Sequence, residues 1–412
     1  MIYNLQLIIS YTITNTFTLL PSALLHLPLP TMNIGFEAKR AFTNGTGLGH
    51  YSRTLISSLA QYFPQHQYFL FTPKQTNLFT EINKYSNVQI VQPSHFPSNL
   101  FTAAWRSSWV KSDLKKMNID VFHGLSHEIP VGIQHTNIKS VVTIHDLIFE
   151  RNPEQYSPID VKIYRKKFNY ACQNANKIIA ISQQTKDDIV QFYGIEKNKI
   201  EICYQSCNPA FGVKVNDGEK ERIKKYYQLP NQFFLYVGSI IERKNLLTIC
   251  KALKAVQGKL NIPLVVIGAG GKYKEQITTY LSEHGLSNEV LFLSDKFNNA
   301  DFTTAKDFPA IYQLALCMIY PSTFEGFGIP ILEALWSNIP VITSNVSCMP
   351  ETGGDAAFYV NPTSEEELAN AMLQVAHNET LRNEMIAKGW QHAQLFTQQQ
   401  CAASVMQVYQ QL

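Results

Sequence analysis

Short apolar runs recur along the chain, each followed by a longer stretch in which apolar residues return every three or four positions. The first pattern suits strands buried on both faces, the second helices with one buried stripe. In the first half, the runs Asn33–Glu37, Tyr68–Thr72, Val88–Val91, Val121–His123, Lys139–His145 and Lys177–Ile181 predict strands. The stretches Tyr51–Tyr62, Asp160–Ala175 and Gln184–Tyr193 predict helices between them. A second series opens at Phe233–Gly238 and continues through Leu264–Gly268, Val290–Leu293, Cys317–Tyr320 and Pro340–Thr343. Alternation of this kind predicts an α/β fold made of two Rossmann-like parallel-sheet domains.

The segment Asn208–Asp217, with Pro209 and Gly212 and no strong periodicity, separates the two series. The expected plan is a first domain over 32–206, a linker zone over 207–228, a second domain over 229–395, and a terminal helix over 396–412. Gln398–Leu412 has helical spacing with no strand after it, so it is expected to pack back on the first domain. Residues 1–36 contain no Asp, Glu, Lys or Arg, and polar residues interrupt their apolar run. That pattern fits neither a secretory signal nor a spanning helix, so 1–31 is expected to be an N-terminal extension outside the fold, with Met32 as the start.

A length of 412 residues suits two domains, and 45% hydrophobic with 16% charged residues describes a globular protein. A net charge of only +3 argues against a nucleic-acid partner bound through a broad basic face. Seven cysteines without regular spacing suggest reduced thiols and a cytoplasmic setting. Cys203 and Cys207 lack a second pair with zinc-ligand spacing, so no metal site is expected.

The densest chemistry lies in Thr323–Leu335, where Glu325 and Glu333 bracket Gly326, Gly328 and Pro330. Such glycines let backbone approach a ligand, and Pro330 marks a helix start whose N–H groups and dipole favour a phosphate. Flanking carboxylates repel phosphate and are better explained as acceptors for sugar hydroxyls. Ser239–Asn245, after the first strand of the second series, places Arg243 and Lys244 at a strand's carboxyl end, suited to a diphosphate leaving group. Gly45, Gly47 and Gly49 form a loop after the first strand, but their spacing is not a dinucleotide fingerprint. His145 ends a strand where it can meet a substrate, and His123 and His127 are weaker candidates for the acceptor side. Trp105, Arg106 and Trp109, followed by Lys111, Lys115 and Lys116, form either an amphipathic helix over the core or a peripheral membrane contact.

Together these motifs resemble the retaining glycosyltransferases of family 4, which have the GT-B fold, two Rossmann-like domains facing a cleft. The resemblance rests on Glu325–Glu333, Val237–Asn245, the Gly-rich loop before Tyr51, Ala180–Ser182 and Val360–Pro362. It implies an acceptor-binding first domain and a donor-binding second domain. It further implies Glu325 on the donor sugar, Glu333 on the ribose, backbone from Gly328 through Ile329 to Leu332 on the phosphates, and Arg243 and Lys244 on the leaving diphosphate. His145 is implied near the sugar, and Gly47, Gly49 and Ser239 along the donor. Ser239 departs from the family, where an Arg is frequent, and His50 stands where a basic residue such as Arg is common. No cofactor or metal is implied, because protein cations replace magnesium. The Gly-Phe-Gly-Ile-Pro form resembles mannosyltransferases that use GDP-mannose in preference to UDP-sugars. The acceptor implied is a glycan or lipid-linked glycan of polysaccharide biosynthesis, met at the inner face of the membrane. The competing readings are a nicotinamide-dependent oxidoreductase and a non-catalytic sugar-nucleotide-binding scaffold.

Overall fold

Two parallel sheets organise residues 31–94, 97–299, 302 and 304–412, the residues that the computed structural model describes. The expected extension over 1–31 lies outside them except for Thr31. The first sheet contains β1 (Asn33–Glu37), β2 (Gln67–Phe71), β3 (Val88–Val91), β4 (Val121–Gly124), β5 (Lys139–Ile144), β6 (Lys177–Ala180) and β7 (Ile200–Ile202). Its strand order is β3-β2-β1-β4-β5-β6-β7. The second contains β8 (Phe234–Val237), β9 (Leu264–Ile267), β10 (Val290–Phe292), β11 (Cys317–Tyr320), β12 (Val341–Ser344) and β13 (Phe358–Val360). Its order, β10-β9-β8-β11-β12-β13, repeats the same winding.

In each sheet the chain winds outward from its first strand and then returns to that strand's other side. The reversal opens a crevice at the strands' carboxyl ends, between β1 and β4 in one sheet and between β8 and β11 in the other. β7 and β13 were not expected from the sequence. Each has three residues and lies at a sheet edge; β10 is as short, but it is a continuous Val-Leu-Phe run, whereas Glu201 interrupts β7 and Phe358 and Tyr359 of β13 are only half-buried.

The terminal helix Gln398–Gln410 returns to the first domain, as its spacing predicts. Thr397 caps it through Gln400 N–H at 3.2 Å. Val405, Met406 and Tyr409 are buried with Tyr51, Leu55 and Leu59 of the helix Gly47–Tyr62 in one cluster. Burying each large apolar side chain there contributes about 1.5–3 kcal/mol.

Residues 207–228 form no free linker. Asp217–Tyr227 is a helix capped by Asn216, and Phe211, Ile223 and Tyr227 are buried with Tyr312 in the second domain's core. The sparse periodicity before Asp217 hid this, because the buried anchors are isolated aromatics. The helical stretch Thr102–Lys116 contains a π-turn at Trp105–Trp109. Trp105 is fully buried and donates its indole N–H to Asp113 at 2.7 Å, while Trp109 remains 42% exposed. Among the described residues, no helix is long and apolar enough to cross a membrane.

Candidate active site

The crevice between β8 and β11 holds the cluster that the sequence singled out. β8 ends at Gly238, whose φ of 154° takes the chain into a loop over the Lys244 stem. A Cβ there would lie 3.1 Å from Lys244 Cδ, so glycine leaves room for that stem. Asn245 adopts left-handed backbone at φ 61°, and its amide donates to the carbonyls of Pro321 at 3.1 Å and Pro362 at 2.7 Å. Thr323 N–H donates to the Arg243 carbonyl at 2.8 Å. These bonds lock the loop after β8 against the loop after β11.

Glu325 sits at the centre of that contact, nearly buried. Its Oε1 lies 2.8 Å from Arg243 Nη1 and 3.0 Å from Lys244 Nζ, and it accepts from the hydroxyls of Tyr320 and Ser322, each at 2.9 Å. Burial would raise this carboxyl, but Lys244, Arg243 and the hydrogen bonds outweigh it and hold the group at about 2. At neutral pH it is therefore a fixed carboxylate between two cations. Ser347 and Cys348 donate to the Glu325 carbonyl at 2.9 and 3.1 Å, and Thr352 donates to that of Phe327. The loop is thus strapped from the β12 side as well.

Gly328 has φ 92° and precedes the helix Ile329–Trp336, with Pro330 in its second position rather than its first. Ile331 N–H is spent on the Gly328 carbonyl, and the Leu332 side chain is core. Glu333, one turn in, accepts from the Tyr312 hydroxyl at 2.7 Å. Burial lifts its carboxyl to about 7 against the modest opposing effect of that bond. The two glutamates thus occupy opposite regimes, one held ionised and one poised near neutrality.

The first domain meets this cluster at the end of β5. A Cβ on Gly326 would lie 2.3 Å from the His145 carbonyl oxygen, so only glycine permits this approach. His145 donates Nε2–H to the Leu125 carbonyl at 2.9 Å and packs edge-on against Tyr51, ring centroids 4.5 Å apart. Burial lowers the ring to about 4, partly countered by the Leu125 bond, so His145 is neutral at physiological pH. Asp146 follows it, and burial raises its carboxyl despite the Ile148 N–H and the nearby Arg243.

Two more contacts join the domains. The Arg151 guanidinium, held by Asp188, lies 5.1 Å from the Phe324 ring centroid. Glu351 accepts Gln183 N–H at 2.8 and 2.9 Å, a carboxylate seated at the N-terminus of the helix Gln183–Tyr193.

The structure therefore gathers Glu325, Arg243, Lys244, Gly328, Ile329, Glu333 and His145 around one crevice, with exposed Ser239 on the same loop. It corrects other expectations. Gly47 and Gly49 lie in the first turn of the helix Gly47–Tyr62 rather than in a free loop. Gly49 is explained by packing, since a Cβ would lie 1.8 Å from the Asn44 carbonyl oxygen, whereas Gly47 opens to space. His123 is no acceptor-facing group. Fully buried, it bridges the Tyr409 hydroxyl at 2.6 Å and Thr143 Oγ1 at 2.8 Å. His127 stacks on Phe168 and braces His145 by accepting its backbone N–H at 3.4 Å. Asp146, Tyr320, Asn245 and Glu351 were not singled out. The His-Asp pair at a strand end was the signal for the first, and the others show themselves only through partners distant in sequence.

Residues 218–392 match the family model described as glycosyl transferases group 1, and residues 45–211 match that of glycosyltransferase family 4. The chain is 26% identical over 308 residues to O-antigen chain mannosyltransferase B of Escherichia coli, covering 74% of this chain and 77% of that protein. It is 28% identical over 279 residues to the serotype-specific mannosyltransferase WbdA of Escherichia coli, covering 65% of this chain but only 33% of that longer protein. HepE of Anabaena, solved in complex with UDP and glucose, superposes with a TM-score of 0.70 at 16% identity, over 93% of this chain and 100% of that one.

Proposed function

Because the chain belongs to the family 4 glycosyltransferases and has their two-domain GT-B fold, we propose that it is a retaining hexosyltransferase that moves a mannosyl group from GDP-mannose to a growing glycan. The observation carrying this reading is the Glu325 carboxylate gripped by Arg243 and Lys244 at the mouth of the β8–β11 crevice. In the free enzyme Glu325 holds both cations in place. When the donor enters, Arg243 and Lys244 meet its diphosphate and Glu325 accepts from a sugar hydroxyl. Gly328 and Ile329 offer backbone N–H groups to the phosphates, and Glu333 accepts from the ribose.

During transfer, the acceptor oxygen bonds to the anomeric carbon on the face from which the diphosphate departs. The bond from that carbon to the phosphate oxygen breaks, and the acceptor's proton passes to that oxygen, releasing GDP. No base from the protein is needed. Glu325 Oε1 is engaged by two cations and two hydroxyls, and His145 Nε2 is engaged by the Leu125 carbonyl, so neither is offered as a base in the free enzyme. Charge on the leaving group then falls to Arg243 and Lys244, acting in a site sheltered from water. The mannosyl and polysaccharide assignments draw support from the Gly-Phe-Gly-Ile-Pro form and from the two mannosyltransferase relatives.

Thermal stabilisation across a panel of GDP- and UDP-sugars tests the donor, since a ligand bound only by the native state raises stability. GDP-mannose is expected to stabilise most, and hydrolysis of it should yield the α-anomer first. A larger response to a UDP-sugar, or a β-product, would overturn the donor or the stereochemistry.

A further inference from the structure

Glu333 has a partner that the transfer step leaves without a role. Tyr312 lies on the helix Phe308–Leu314, just before β11, and its side chain is fully buried. Its hydroxyl donates to Glu333 Oε2 at 2.7 Å, while Oε1 makes no hydrogen bond among the described residues. A glutamate side chain is long and flexible, and a half-buried one samples several orientations unless one oxygen is held. One bond from a buried phenol fixes that oxygen and leaves the other for a ligand.

Tyr312 can serve as a fixed point because the segment joining the two domains clamps its helix. The Phe211 ring packs edge-on against Tyr312, centroids 5.0 Å apart. The Gln313 side chain accepts from Val215 N–H at 3.0 Å and donates to the Val213 carbonyl at 2.8 Å. At the helix start, Asp307 accepts from the Tyr227 hydroxyl at 2.6 Å. The same segment braces the helix that carries Glu333. A Cβ on Gly212 would lie 2.8 Å from Trp336 Cε3, so the backbone there runs against the indole. Packing alone does not call for a hydroxyl at position 312, since a phenylalanine would fill the same apolar space.

We propose that Tyr312 is a positioning residue of the donor site, aiming Glu333 so that its Oε1 accepts from the ribose hydroxyls, with the domain-joining segment 208–227 as its support. The proposal rests on the transferase reading and deepens its donor site, naming the group on which discrimination for ribose depends.

Calorimetric titration with GDP and UDP, each against its 2′,3′-dideoxy form, tests it. The affinity ratio within each pair reports the ribose contact whatever the base. Wild-type protein is expected to favour the ribose form about tenfold or more. Glu333→Leu keeps the bulk, removes the acceptor and is expected to bring that ratio close to one. Tyr312→Phe is expected to lower the ratio about threefold or more and to change nothing further in the Glu333→Leu background. That double variant replaces both hydrogen-bonding partners by apolar groups of similar shape, so the fold is expected to survive there even where Glu333→Leu alone is destabilised. A purely structural role for Tyr312 would weaken both members of a pair equally. An undiminished ratio in Tyr312→Phe, equal weakening of both members, or a further change in the double variant overturns the positioning role. A ratio that Glu333→Leu leaves unchanged takes the ribose away from Glu333, and the proposal falls with it. Failure of the transferase reading itself shows differently, as wild-type protein that binds neither nucleotide.

Discussion

The two crevices occupy equivalent places in the two sheets yet are built in opposite ways. The β8–β11 crevice is assembled from two short motifs, Ser239–Asn245 and Tyr320–Glu333, whose glycines, proline and left-handed Asn245 set its shape locally. The β1–β4 crevice draws single side chains from distant segments, Glu37, Arg106, Glu128 and Lys167. One carries the adjacent cations Arg243 and Lys244 on a motif loop and, on the proposed reading, suits the diphosphate of a nucleotide-sugar donor. The other carries scattered groups, the carboxylates of Glu37 and Glu128 set against the cations of Arg106 and Lys167. A site built from motifs is compact in sequence, whereas one built from single side chains is dispersed.

That contrast breaks most readily at Lys244. Lys244→Ala removes a cation aimed at the leaving group and is expected to lower turnover by about 100- to 1,000-fold in a protein that still folds, with a lower unfolding midpoint by calorimetry because buried Glu325 loses a partner. A smaller drop would mean that Arg243 alone carries the leaving-group charge. Gly326→Ala attacks the seam between the crevices, because its Cβ would press on the His145 carbonyl. Misplacement of this kind is expected to cost roughly 100-fold in transfer while GDP-mannose still stabilises the protein.

The poised carboxyl of Glu333 predicts a pH signature. Donor affinity should rise as pH passes about 7 and the carboxylate forms, and Glu333→Gln should remove that inflection. The same variant should weaken the donor about tenfold, measured by titration at alkaline pH. For stability the two glutamates act in opposite senses. Glu333, raised above its ordinary 4.5, makes stability fall as pH climbs from there to about 7. Glu325, depressed to about 2, contributes stability that is present above 4.5 and lost as pH falls through that interval. The smallest functional effect is expected where the terminal helix packs on the first domain. Tyr409→Phe leaves His123 Nδ1 without its partner and should cost about 1–3 kcal/mol of stability, with turnover unchanged.

Much of the donor side was legible because its residues impose their own conformation. Gly328 at positive φ, Pro330 at a helix start and two cations after a strand mark a ligand loop before any partner is known. The two parallel sheets could be anticipated from alternation, but the edge strands β7 (Ile-Glu-Ile) and β13 (Phe-Tyr-Val) could not. The first domain misled where side chains act through remote partners. His123 ends a strand much as His145 does, yet Tyr409, from the terminal helix, makes it a rivet rather than a contact group. Gly49 looked like a phosphate glycine because nothing in the sequence reveals the Asn44 carbonyl beneath it. Glu37 escaped notice, and Arg106 was read only as part of an amphipathic or membrane-facing helix, because their pairing spans 69 positions of the sequence.

On the proposed reading Glu325, held ionised between Arg243 and Lys244, is the group that meets the donor sugar. Turnover of GDP-mannose by Glu325→Ala tests it most directly, with circular dichroism to confirm the fold. A loss of about 100-fold or more is expected in a folded protein that GDP still stabilises. Near-normal turnover in that variant would contradict it.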